Sequence, residues 1–417
     1  MPSRSFVRVG GAAALALALA VPAGGAMAQD GTTITMLTPS WGVPPDPDLL
    51  AAFEEDSGIT VEIIGGEGVA LDTLFTNVIT ANATGQPAAD VIFLTEEAPS
   101  NVVAIGGVDD ISDLVEANGT DLGQFDQVDF WQDGDALYGI PVYSQLVMMD
   151  YNAATYADAG FESTPTTWAE LTDAARTLQA DGVDPNPISF KADDWTWYIL
   201  ALSMGDPMFD DDLNPVFADE GSKAREAMDL LLTWVNEELI SPGIISNETT
   251  QHANFWAGNG VFHQGWQGSA SAGNNPDTSA QAPNVEYLLL PEEHYTWSFP
   301  AAVGIGNGSQ NREAAYEFIE WYTSPENQKA IFAAYGLYPS RPDVAAELNE
   351  SGSIEGYDVI VEQSQYLNEL PRQALWWGPF TNAVDEQILL GIENGSTGDE
   401  IVDALAEEWN SLKAEYE

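Results

Sequence analysis

Residues 131–152, WQDGDALYGIPVYSQLVMMDYN, decide how this chain is organised. Two extended stretches flank Pro141, and no helical periodicity runs through either. Proline suits extended backbone and breaks a helix interior. An unbroken extended passage set between segments of different character reads as a crossing from one domain to another.

On its N-terminal side, strand and helix alternate, the pattern of a parallel sheet covered by helices. Residues 33–37 are a strand candidate; Asp46-Pro47 supplies an N-cap followed by proline at the first helical position, opening a helix toward Ser57. Residues 60–64 are the next strand, 71–84 the next helix, and 90–94 (DVIFL) a buried strand. Ligands of such sheets meet the loops after the strands. On the C-terminal side, TPTTWAEL (164–171) starts a helix, with Thr167 and Glu170 in capping-box spacing, a spacing that Thr397 and Glu400 repeat. Further helices are predicted over 195–204, 224–238, 312–323, 326–334, 356–370, 380–394 and 397–417, and strands over 261–264, 286–290 and 302–305. The stretch 268–281, rich in Ser, Gly, Asn and Ala, reads as a loop.

The 417 residues, 45% of them hydrophobic, suffice for two domains. Residues 1–28 carry the marks of a cleaved export signal: Arg4 and Arg8, an apolar run from Ala12 to Val21, and Ala26-Met27-Ala28 before Gln29. The chain has no cysteine, hence no disulfide framework and no lipid-bearing cysteine after the cleavage point. A periplasmic protein that is not a lipoprotein is expected. Eleven Lys and Arg face 66 Asp and Glu, a formal charge of −55 that becomes −57 without Arg4 and Arg8. Such a field argues against nucleic acid and anionic membranes as partners. The acids are spread along the chain, as on a surface suited to high salt, where screening shortens the reach of self-repulsion.

Thirteen tryptophans are present. Eight of them (Trp41, Trp131, Trp195, Trp197, Trp266, Trp297, Trp376 and Trp377) stand among Gly, Pro, Asp and Asn rather than inside periodic apolar runs. A loop indole offers a flat apolar face and one N–H donor, which beside carboxylates suits sugars or organic cations. Trp168, Trp234, Trp256, Trp321 and Trp409 lie in helical runs and read as packing residues.

These segments resemble the extracellular solute-binding proteins of ABC importers, in their sugar-binding group. Tyr138-Gly139-Ile140-Pro141 with residues 146–152 is similar to that family's first hinge crossing, and 164–171 to its Pro-x-Thr-Trp-x-Glu-Leu helix start. Residues 304–341, with NREAAYEFI, TSPENQ and then Gly336 onward, are similar to its return segment; FWAGNGVF (255–262) matches another of its segments, with Asn259 where a lysine is usual. The resemblance implies an α/β, two-lobe periplasmic binding protein fold with a hinge and an interlobe ligand cleft. The lobes would be residues 29–140 with 300–342, and 141–299 with 343–417. It also implies a sugar or small oligosaccharide ligand, delivery to permease subunits in the membrane, and a monomer without cofactor.

By the same resemblance, the loop after the 90–94 strand carries a carboxylate that accepts sugar hydroxyls, which falls on Glu97 beside Glu96. Asp194, Trp195 and Trp197 stand where the second lobe sends an acid and an aromatic into the cleft, and one of the two indoles is expected to pack instead. Trp266, between Gly265 and Gly268, matches a cleft tryptophan; Trp376 or Trp377 matches a stacking aromatic contributed late in the chain. Trp41 follows the first strand on the predicted cleft edge, and Tyr143 and Trp297 lie near the crossings. His252, His263 and His294 show no metal-ligand spacing, and no nucleophile elbow, phosphate loop or dinucleotide fingerprint occurs. Polyamines or quaternary ammonium solutes remain an alternative ligand class. A glycoside hydrolase using Glu97 and Asp194 across the cleft is a third reading.

Overall fold

The computed structural model describes residues 31–66 and 71–416; the export signal read at 1–28 lies outside the described residues. Three strands open the chain: β1 (Thr32–Pro39), β2 (Ile59–Gly66) and β3 (Val91–Leu94). They run parallel in the order β2-β1-β3, the product of the predicted strand and helix alternation. Asp46 caps the helix Pro47–Ser57 by accepting from the Asp48 and Leu49 amides, as the Asp-Pro pair required.

A small hairpin, β4 (Gln132–Asp133) and β5 (Ala136–Leu137), leads into β6 (Ile140–Asn152), so the deciding stretch forms one 13-residue strand through Pro141. β7 (Ile188–Ser189), β8 (Phe262–Trp266), β9 (Val285–Leu288) and β10 (Ser298–Ile305) follow. β10 starts four residues earlier than predicted and carries a register break between Ala301 and Ala302. It lies against β6 on both sides of that break (Ser298 with Leu146, Val303 with Ile140), and after the break it also pairs with β3 (Ala302 with Leu94, Ile305 with Val91). The later part of β6 pairs with β8 and β9, and β8 with β7. The sheet therefore has two halves, with β6 and β10 running through both.

At the C-terminal helix Thr397 and Glu400 exchange both bonds of a capping box; at the other site the Glu170 amide donates to Thr167 while its carboxylate accepts chiefly from the Thr166 amide and hydroxyl. Two element boundaries were misread. The helix predicted over 356–370 ends at Gln363, because Gln363 turns its amide to Leu290 and His294 and residues 366–368 pair with the Thr296 backbone. The supposed 268–281 loop contains a helix, Ser269–Gly273.

Candidate ligand-binding cleft

Trp41 leaves the sheet directly after β1, in the turn Ser40–Gly42, which Tyr322 anchors by donating its hydroxyl to the Gly42 carbonyl (2.6 Å). A side-chain hydrogen bond joins Trp41 to Tyr143 on β6. Glu96 and Glu97 follow β3, with Thr95 donating to Glu97 (3.3 Å). Burial, and then Glu96, raise the Tyr143 phenol well above its ordinary range, so it is a neutral donor at any physiological pH.

Across from Trp41 the second half of the sheet presents Trp256, at the end of the helix Gln251–Trp256, and the Ser269–Gly273 helix. Between them lies a cavity of about 570 Å³ lined by Trp41, Trp256, Ser271, Asn275, Tyr335 and Gly336 among others. Trp256 keeps its indole nitrogen buried without a partner among the described residues. Trp266, at the end of β8, stands edge-on to Trp256 (centroids 6.0 Å apart) and donates to the Gly336 carbonyl (2.7 Å). One indole thus flanks the cavity from each half, with a third braced behind.

Beside this aromatic group is a charged one. Asp193 caps the helix Asp194–Ser203, accepts from the Thr196 amide and pairs with Lys191 (3.3 Å). The Asp194 amide donates to Asp385 (2.9 Å). Burial raises the Asp194 carboxyl well above the usual carboxylate range, and the charges of Asp385, Asp193 and Glu97 add to it. Glu96 is also raised by burial, opposed by its backbone hydrogen bond and by Arg372. Arg372 is buried (3% exposed), donates to Ser298 and Glu369, and lies over the Phe130 ring (4.8 Å). The Glu97 charge acts on both Asp194 and Arg372, so the loop after β3 and the start of the Asp194–Ser203 helix face one another.

The structure gathers Trp41, Tyr143, Glu96, Glu97 and Asp194 in this region and sets Trp266 behind the cavity wall, against Trp256 and Gly336. Trp195 is half-buried against Trp297 (5.4 Å) and Phe299 (5.2 Å). Trp297 is itself buried, between Trp195 and Tyr198 (6.1 Å), and supports Trp195 rather than facing a ligand. Three more of the candidate indoles pack instead, Trp197 being the one of its pair that was expected to. Trp197 is fully buried, donates to the Ala224 carbonyl (2.9 Å) and packs on Phe217, so its donor and both faces are taken. Trp377 packs against Tyr198 and Phe380, and Trp376 against Trp409; the C-terminal helix Gly398–Tyr416 brings Trp409 over both. Either Trp376 or Trp377 was expected to stack on a ligand. A partner helix that covers both removes that option.

Trp256, assigned to packing from its helical neighbours, is the residue that sequence reasoning missed; a helix end can deliver an indole as well as a loop can. Arg372 and Asp385 carried no local signal, because their roles come from elements far away in sequence.

Two sheet halves threaded by shared strands, with an aromatic cavity where they meet, define a two-lobe α/β ligand-binding protein. A family model described as bacterial extracellular solute-binding protein matches residues 48–355, and the chain belongs to that family. A probable amino-acid ABC transporter periplasmic-binding protein, y4oP, from Sinorhizobium fredii (strain NBRC 101917 / NGR234) is 24% identical over 254 residues. That match covers 55% of this chain and only 56% of the relative's length. Among solved structures, maltose-bound MalE3 of T. maritima superposes with a TM-score of 0.77 at 19% identity, covering 91% of this chain and 100% of the other. Lmo0181 of Listeria monocytogenes, in complex with cycloalternan, superposes with a TM-score of 0.79 at 18% identity, covering 92% and 99%.

Proposed function

We propose that the chain is the substrate-binding component of an ABC importer, exported to the periplasm through a cleaved signal at 1–28, and that it binds a sugar or small oligosaccharide. The lobes are 29–140 with 300–342 and 141–299 with 343–417; of the three internal boundaries, two fall within β6 and β10, the strands that would serve as the hinge, and the third at the start of the helix Pro342–Glu350. The observation that carries the ligand class is the cavity between Trp41 and Trp256, with an indole on either side and hydroxyl and amide groups from Ser271 and Asn275 at its edge. Sugar rings offer C–H faces to indoles and hydroxyls to such edges. The solved relatives named above hold maltose and cycloalternan, which supports the same reading. An amino-acid ligand, as the y4oP name would have it, wants a cation for its carboxylate. Among the described residues the buried guanidinium near the cleft is that of Arg372, which already serves Glu369 and Ser298.

The clustered acids Asp193 and Asp194, both buried, and half-buried Asp385 favour a second reading, an organic cation such as spermidine or betaine. Calorimetric titration in high salt against glucose, maltose, maltotriose, spermidine and betaine separates the two. The sugar reading expects saturable binding of at least one sugar, and cation binding alone would replace it with the second. Trp41→Ala and Trp256→Ala are each expected to weaken binding by ~10- to 100-fold, the loss of roughly 1.5–3 kcal/mol of apolar contact. Unchanged affinity in both variants would remove the cavity from consideration.

A further inference from the structure

Behind the two indoles of the second half runs a chain of polar side chains, buried at Asp150 and His263 and half-buried at His252 and Gln251, for which binding, as described, has no use. Asp150 lies in the later part of β6, His263 opposite it on β8, and His252 on the helix Gln251–Trp256. Asp150 and His263 have no exposed surface. Asp150 Oδ1 is 2.6 Å from His263 Nδ1, His263 Nε2 is 2.8 Å from His252 Nδ1, and His252 Nε2 is 3.4 Å from Gln251 Nε2. The second Asp150 oxygen accepts from the Ser269 hydroxyl.

A neutral imidazole has one donor nitrogen and one acceptor. With Asp150 as the carboxylate, His263 carries its hydrogen on Nδ1, which leaves Nε2 an acceptor. His252 must then carry its hydrogen on Nδ1, and its Nε2 accepts from Gln251. One carboxylate orders the whole chain. Both ends reach the aromatic wall. The His252 ring lies along Trp256 (5.8 Å, 27°) and edge-on to Trp266 (4.9 Å, 86°). Ser269 accepts from the Trp266 amide (3.1 Å), and Tyr287 donates its hydroxyl to the Trp266 carbonyl (2.9 Å).

We propose that Asp150, His263 and His252 form a positioning relay for the Trp256 and Trp266 indoles, and that ligand affinity falls when the relay takes up a proton. The second clause rests on the reading of the adjacent cavity as the ligand site. The proton enters at His252 Nε2, the end of the chain. The resulting imidazolium can no longer accept from Gln251, and it places a positive charge against two indole rings, whose faces attract cations. Lys191 also acts on this site with like charge, His263 lies directly against it, Asp150 is one link further, and Tyr287 on β9 faces Asp150. Burial, then His263 and Lys191, hold His252 well below the ordinary histidine range. His252 is therefore uncharged at pH 7 and takes up its proton only on acidification.

Fluorine NMR of the full chain labelled with 5-fluorotryptophan, followed from pH 8 to 4.5, tests this. The Trp256 and Trp266 resonances are expected to move together with one midpoint below pH 6.5, while Trp168 and Trp234 stay still and report an intact fold. His252→Phe keeps a ring against both indoles and should abolish the movement. Asp150→Asn removes the anion that favours proton uptake and should lower the midpoint. Indole resonances that do not titrate, or that titrate unchanged in His252→Phe, overturn the relay. A parallel maltose titration should lose at least tenfold in affinity over the same pH range. Titrating resonances with constant maltose affinity overturn the coupling to the ligand, and the Trp41→Ala and Trp256→Ala variants then tell whether the cavity reading has failed as well.

Discussion

Gly268→Ala is the sharpest perturbation available at the cavity wall. Gly268 has φ −105° and ψ −4°, a conformation open to alanine, so the residue is not required for backbone freedom. It is required for closeness. A Cβ there would stand 1.6 Å from the Gly336 carbonyl oxygen and 2.5 Å from its carbon, against 3.4 Å or more for an ordinary contact. Both atoms belong to backbone, so no rotamer relieves the overlap and the two segments must part. The cost has two pieces: overpacking of about 1–3 kcal/mol, and the Trp266 hydrogen bond to the same Gly336 carbonyl, worth about 1 kcal/mol. A loss of about 2–4 kcal/mol follows. Gly58→Ala is the control, since a Cβ there meets nothing within 4 Å and only the left-handed φ of +72° is strained, for about 1 kcal/mol. Urea denaturation in high salt, extrapolated linearly, measures both. If Gly268→Ala costs no more than Gly58→Ala, the close approach that braces Trp266 is not what the geometry says.

Three further outcomes are expected. Asp194 has a raised carboxyl pKa, so the folded state holds a proton that the unfolded chain releases, and stability falls as pH rises from the ordinary carboxylate range through the folded value. Asp194→Asn should flatten that decline between pH 4 and 8 and stabilise the protein at the upper end by on the order of 1 kcal/mol, read from melts at each pH. Thr397→Ala removes one partner of the reciprocal cap on the C-terminal helix and should cost about 1 kcal/mol in denaturant titration, whereas Thr397→Ser should cost little. With 66 acids against 11 bases, melting temperature should climb between 0.1 and 1 M NaCl, as the screening length drops from about 10 to about 3 Å; a flat profile would rule out self-repulsion as a destabilising force.

The local signals were legible because they are local. Asp46-Pro47, Thr397 with Glu400, and the DVIFL run specify caps and a buried strand through contacts within a few residues. The strand and helix alternation gave a parallel sheet but not its β2-β1-β3 order, and the extended passage through Pro141 marked the strand shared by the two halves. Indoles among glycines and acids suggested the two ligand classes weighed above, sugars and organic cations. Which indoles face the cavity was settled elsewhere. Trp197, Trp376 and Trp377 have loop-like neighbours in sequence but are roofed by Ala224, Phe217 and Trp409, and Trp256 has helical neighbours but ends its helix at the cavity. The burial of an aromatic ring is decided by what packs over it, and that partner lies at sequence distances no periodicity encodes. The same holds for Asp150, His263 and His252: three ordinary residues in the chain, joined into a relay only because β6, β8 and a short helix place their side chains end to end.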